Sequence, residues 1–172
     1  MLKITTHSET ETMNLGTRLV RLLSAGDIVC LFGILGAGKT VLVKGMAEGL
    51  GIKSQEVISP SFVIIREYLP VKKKKTCIPL YHFDLYRLKN PRDIFNLGYE
   101  EYFYDRGITV IEWAERMRGY LPEEFLKIEL EIKGETKRII KLIPNGDRYH
   151  KILGTLFSPI KGRFLRQSEK CP

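Results

Sequence analysis

Five consecutive apolar residues, Ile28-Val29-Cys30-Leu31-Phe32, run directly into Gly33-Ile34-Leu35-Gly36-Ala37-Gly38-Lys39-Thr40. An unbroken apolar run suits a strand buried on both faces, which requires a sheet covered on each side. The octet that follows satisfies Gly-x4-Gly-Lys-[Ser/Thr], and Lys39 to about Leu50 reads as a helix closed by Gly51. A strand, a glycine loop and a helix in this order form a phosphate-binding P-loop. The glycines let successive backbone N–H groups face phosphate oxygens, and the helix adds its positive N-terminal end. Gly33, Gly36, Ala37 and Gly38 would cradle the phosphates, Lys39 would reach the β- and γ-phosphates, and the Thr40 hydroxyl would ligate Mg2+. The expected ligand is ATP or GTP with magnesium.

The remaining pattern predicts the sheet around this loop. Lys3–Thr6 is β-prone, and Ser8-Glu9-Thr10-Glu11 has the form of a capping box opening a helix with Leu15, Leu19, Leu22 and Leu23 at helical spacing. Further strands are expected at Phe62–Ile65, Ile78–Phe83 and Ile108–Ile111, with a helix from Asn90-Pro91 to about Tyr104. Leu126–Ile132 and Arg138–Ile143 read as an antiparallel hairpin, followed by a helix from Asp147 to about Phe157. Strands alternating with helices give an α/β fold: a three-layer P-loop NTPase-like sheet, mostly parallel, with antiparallel strands at its C-terminal end. We expect a single domain over residues 1–157 and a basic, flexible tail over 158–172.

Ligands in such sheets collect at the carboxyl ends of the strands, which places the chemistry just after Phe32, Phe83 and Ile111. Two acids stand there, Asp84 and Glu112. A lone strand-end carboxylate is usually solvated or a helix cap; two of them beside a P-loop favour catalysis and metal binding. His82 reads equally as a proton carrier or as a satisfied buried histidine. Trp113 reads as core or as a neighbour of the nucleotide.

Composition narrows the partners. The net charge of +8 permits a nucleic-acid contact. Half of it, however, lies in residues 151–172, and the run Lys72–Lys75 carries as much again, blocks that usually form solvated loops and tails. The three cysteines, Cys30, Cys77 and Cys171, show no paired spacing, and Cys30 reads as a small buried hydrophobe. The chain shows neither a membrane-length apolar run nor a signal-peptide pattern, so a cytoplasmic setting is expected.

Gly33–Thr40, Ser59-Pro60-Ser61-Phe62, Tyr81-His82-Phe83-Asp84-Leu85-Tyr86-Arg87 and Ile111-Glu112-Trp113 together resemble the TsaE (YjeE) family over about residues 1–150. The resemblance implies a small bacterial P-loop ATPase required for threonylcarbamoyladenosine at position 37 of tRNAs that read ANN codons. It implies that Thr40 and Glu112 hold magnesium and that Asp84 lies beside the γ-phosphate or its attacking water. Ser59–Phe62 would sense the γ-phosphate, and Glu9 and Gly134 would border the adenine. The implied partners are TsaB and TsaD, with TsaC supplying the activated threonylcarbamoyl group. Transfer RNA would be met through that complex, and the chain alone would be a monomer or weak oligomer. Three positions depart from the family pattern: Ile34 replaces the usual Asp, Ser61 the usual Thr, and Val41 a common second Thr.

Other readings from the same residues are a small-molecule or nucleotide kinase, a nucleotide-dependent scaffold without turnover, and a basic RNA-binding module. The stretch from Arg87 to Glu112 shows no arginine-rich lid for a kinase, and no strand carries the stacking aromatics of an RNA-binding sheet.

Overall fold

The computed structural model describes residues 1–58, 64–70, 78–88 and 90–156. In chain order these form β1 (Leu2–Thr6), α1 (Glu9–Val20), β2 (Ile28–Phe32), α2 (Lys39–Leu50), β3 (Ile65–Tyr68), β4 (Leu80–Asp84), β5 (Ile108–Glu112), β6 (Phe125–Ile132), β7 (Arg138–Asn145) and α3 (Asp147–Leu156). One seven-stranded mixed sheet runs in the order β1-β7-β6-β2-β5-β4-β3. Its middle, β6-β2-β5-β4, is parallel. Antiparallel strands β7 and β1 extend one margin and β3 closes the other.

Strand β2 lies in the middle of the sheet, and its apolar run has the expected consequence. Val29 and Leu31 join a core beneath the helices, with Leu19 of α1, Leu42 and Met46 of α2 and Ile152 of α3. Ile28 and Cys30 face the other way, onto Phe83, Ile94, Ile111 and Met117. Removing each such aliphatic side chain from water stabilises by about 1.5–3 kcal/mol, which holds both layers to the sheet. Cys30 is fully buried, and that burial pushes its thiol pKa far up. It behaves as the small hydrophobe expected.

Helix α1 starts at Ser8, whose Oγ accepts from Glu11 N at 3.1 Å. Glu11 Oε2 accepts in return from His7 N at 2.8 Å, one residue before the cap. This helix crosses α2 at unusually close range. A Cβ on Gly16 would lie 2.3 Å from Leu42 O, and one on Gly45 only 2.0 Å from Met13 O. Only glycine allows the two backbones to meet there, and Thr17 Oγ1 donates to Gly45 O at 2.8 Å across the crossing. At the far end, α3 is pinned to the start of β2 by Ile28 N donating to Tyr149 OH at 2.8 Å and by the Arg148–Asp27 ion pair.

Two expectations change. The helix expected from Asn90 to about Tyr104 is instead a pair of short 3-10 segments, Pro91–Leu97 and Tyr99–Glu101. Asn90 caps the first by accepting from Arg92 N at 3.0 Å, but Gly98 takes φ +61° and breaks the helical ladder. Aromatic packing fixes this irregular layer, with Tyr99 edge-on to Phe103 at 5.2 Å. The strand expected at Phe62–Ile65 runs instead over Ile65–Tyr68, where it pairs with β4 from Ile65↔Phe83 to Tyr68↔Leu80. Phe62 and Val63, the Ser59–Phe62 loop, the Lys72–Lys75 run and the expected 158–172 tail lie outside the described residues.

Candidate functional site

Register places the two strand-end acids side by side. Asp84 and Glu112 are direct partners at the ends of parallel β4 and β5, and Glu112 also pairs with Leu31 one residue before the end of β2. The loop leaving β2 and the N-terminus of α2 therefore open onto the same spot. A cleft of about 570 Å³ occupies it, lined by the glycine turn, both acids, Glu9, Trp113 and the tip of the β6–β7 hairpin.

The turn itself exposes backbone donors. Gly36 and Gly38 take φ +76° and +99°, and Gly38 caps α2 with no side-chain hydrogen bond to the helix. The first-turn N–H groups of a helix have no intrahelical acceptor, so they remain for a ligand. Lys39 is 4% exposed; its Nζ donates to Gly33 O at 2.6 Å and to Ile34 O at 3.1 Å and lies 3.7 Å above the Trp113 ring. Burial lowers its pKa first and foremost, and the charges of Glu112, Glu115 and Asp84 oppose that shift.

Beside it, Thr40 Oγ1 donates to Glu112 Oε2 at 3.1 Å, and His82 Nε2 lies 2.9 Å from Glu112 Oε1. His82 is fully buried and its Nδ1 has no hydrogen-bond partner among the described residues. It is neither solvent-linked nor placed at the cleft, which favours the reading of a structural histidine holding Glu112. Asp84 Oδ1 accepts from Tyr86 N at 3.0 Å and closes the turn after β4. Thr40 and Glu112 present hard oxygen donors at a separation a single cation can bridge. Among the described residues no group of three or more His, Cys, Asp or Glu forms a metal site by itself. That donor set fits magnesium, which keeps several waters and shares its shell with phosphates.

The sequence-derived residues do not all converge. Gly36, Ala37, Gly38, Lys39, Thr40, Asp84, Glu112 and Glu9 line the cleft. Gly33 lies behind the turn, where a Cβ would meet Leu130 O at 2.6 Å. Gly134 is adjacent rather than lining, its neighbours Glu135 and Thr136 facing the cleft instead. Ile34 contributes its carbonyl and leaves its side chain 66% exposed, so the missing acidic group stands on the outer rim. Trp113 takes φ +59°, a conformation rare for a large side chain, and its ring packs against Tyr86, tilted by 45° with centroids 5.0 Å apart. The sequence reading missed Arg138 altogether. The signal was present: Arg138 is in phase with Ile140 and Leu142, which point into the helix-covered core, so a cation opens an inward-facing apolar row.

Sequence comparison then decides the family. The family profile described as threonylcarbamoyl adenosine biosynthesis protein TsaE matches residues 6–140. The chain belongs to the TsaE family. It is 38% identical over 151 residues to the tRNA threonylcarbamoyladenosine biosynthesis protein TsaE of Bacillus subtilis, covering 88% of this chain and 90% of that one. The Treponema pallidum TsaE is 40% identical over 139 residues, covering 81% and 98%. The crystal structure of Bacillus subtilis YdiB superposes with a TM-score of 0.73 at 36% identity, covering 90% of this chain and 93% of that one. The TsaE match and the structural likeness agree with the resemblance and the fold class expected from the motifs. Among the described residues no helix is long and apolar enough to cross a membrane.

Proposed function

We propose that this TsaE-family protein binds ATP with magnesium in the cleft and hydrolyses it as an accessory subunit of tRNA threonylcarbamoyladenosine formation. The observation that carries the reading is the convergence of Lys39, Thr40, Asp84 and Glu112 around one glycine turn at the strand ends. The turn's N–H groups and Lys39 would take the phosphates, Lys39 exchanging its two carbonyl acceptors for phosphate oxygens. Thr40 and Glu112 would hold magnesium, which when bound neutralises charge on the β- and γ-phosphates. Asp84, fixed by Tyr86 N, would orient the attacking water. Glu9 and the hairpin tip beside Gly134 would border the adenine.

The family assignment extends the proposal to position 37 of tRNAs reading ANN codons, in the cytoplasm, with TsaB and TsaD as partners. Arg87 lines the cleft but belongs to no lid among the described residues, and Arg92 is exposed outside it. A catalytic arginine supplied in trans raises turnover by about 10³–10⁵-fold in comparable sites. The isolated chain should therefore bind ATP and hydrolyse it slowly, with the partners accelerating the reaction. Steady-state ATPase assays with and without purified TsaB–TsaD test this. Equal rates, with complex formation verified, would remove partner activation; absence of ATP binding by calorimetry would remove the whole reading.

A further inference from the structure

One side chain ties together two segments of the cleft that lie a hundred residues apart. Arg138, half-buried at the start of β7, donates from Nε to Ala37 O at 3.2 Å and from Nη2 to Gly36 O at 3.3 Å. Its Nη1 donates to Gly134 O, Glu135 O and Lys137 O at 3.0, 3.2 and 3.1 Å. The guanidinium thus spends one edge on the glycine turn and the other on the hairpin tip.

Two consequences follow from peptide geometry. A trans peptide points its C=O and the next N–H in opposite directions. Holding Gly36 O toward Arg138 turns Ala37 N onto Ile34 O, at 3.1 Å, which closes the turn. Holding Ala37 O there turns the Gly38 N–H away from the guanidinium, at the position where α2 begins. At the same time the hairpin tip that brings Glu135 and Thr136 to the cleft is held by its own Gly134, Glu135 and Lys137 carbonyls.

We propose that Arg138 is a positioning residue: it clamps the phosphate-binding turn to the β6–β7 hairpin tip, so that both ends of a bound nucleotide are gripped by one unit. The proposal rests on the nucleotide reading above. It requires a planar fork with donors on two edges, which lysine lacks.

The test uses the full chain and calorimetry with two probes, magnesium ATP and inorganic tripolyphosphate, on the parent, Arg138→Ala, Arg138→Lys and Lys39→Ala. Loss of the clamp should weaken tripolyphosphate by about tenfold and ATP by more, up to about a hundredfold, in both Arg138 variants. Hydrogen exchange adds a readout that simple destabilisation would not give. ATP should slow exchange at both 33–38 and 133–137 in the parent, but only at 33–38 in Arg138→Lys. Should Arg138→Ala fail to fold, Arg138→Lys carries the test. Parent-like affinity for both probes in Arg138→Lys, or joint protection of both segments in it, overturns the clamp. Loss for ATP with tripolyphosphate unchanged overturns it for the turn. Parent-like ATP binding in Lys39→Ala instead overturns the nucleotide reading itself, and so separates the two failures.

Discussion

At one end of the cleft Lys39, Asp84 and Glu112 are 4%, 6% and 2% exposed; Lys39 is bonded within its own loop, Asp84 within its own turn, and Glu112 to Thr40 of α2. At the other end Glu9, Gly134, Glu135 and Thr136 are all exposed, on a helix start and a hairpin tip. The buried end holds charges in a water-poor setting where each is worth several times its value at the surface. The exposed end offers shape and a few polar groups screened by solvent. Energy for binding should therefore come from the buried end and selectivity among bases from the exposed one.

The largest effect should come from Lys39→Ala. Removing the cation while leaving phosphates in a buried site costs about 2–5 kcal/mol of ATP affinity, measurable by calorimetry. Glu112→Gln should come next. It keeps metal-free nucleotide binding near the parent value, abolishes the gain from magnesium, and lowers single-turnover hydrolysis by at least about a hundredfold. Parent-rate hydrolysis in that variant would reduce Glu112 to a structural acid.

A third prediction uses pH. Burial lowers the Lys39 pKa from 10.5, so the folded chain sheds this proton before the unfolded chain does. Between the lowered value and 10.5 the unfolded state holds more protons, and stability gains with rising pH. Below that window the cost of the buried ammonium is fully present. Lys39→Met should thus melt higher than the parent at neutral pH, with the gap narrowing as pH rises through the window. ATP affinity of the parent should fall over the same range. A gap independent of pH would break the link between Lys39 burial and stability. The smallest effect belongs to the exposed end: Glu9→Ala should change ATP affinity by less than about threefold. A loss as large as that of Lys39→Ala would erase the contrast between the two ends.

The same contrast governs what could be read from the chain. The placement of the buried end was legible because its pattern is local: an apolar run, a glycine octet and acids at strand ends specify where those residues meet. The parallel middle of the sheet was legible for the same reason, through Ile28–Phe32 and Ile108–Ile111. The layer over residues 91–101 was not, because Gly98 and mutual aromatic packing override a helix-like opening at Asn90-Pro91. Arg138 was missed because its partners, Gly36, Ala37 and Gly134, are backbone carbonyls that no residue type announces. Pairing β6 with β7 and β2 is what brings them within reach.

The seat of Trp113 gives the protein a built-in optical reporter. It is the chain's single tryptophan, and the ammonium of Lys39 rests against its indole face. A phosphate that drew that charge away would change the field on the chromophore, so emission from one unmixed fluorophore should follow occupancy in real time. Stopped-flow mixing would then resolve arrival and departure of the ligand as separate rates, with no label attached to either molecule.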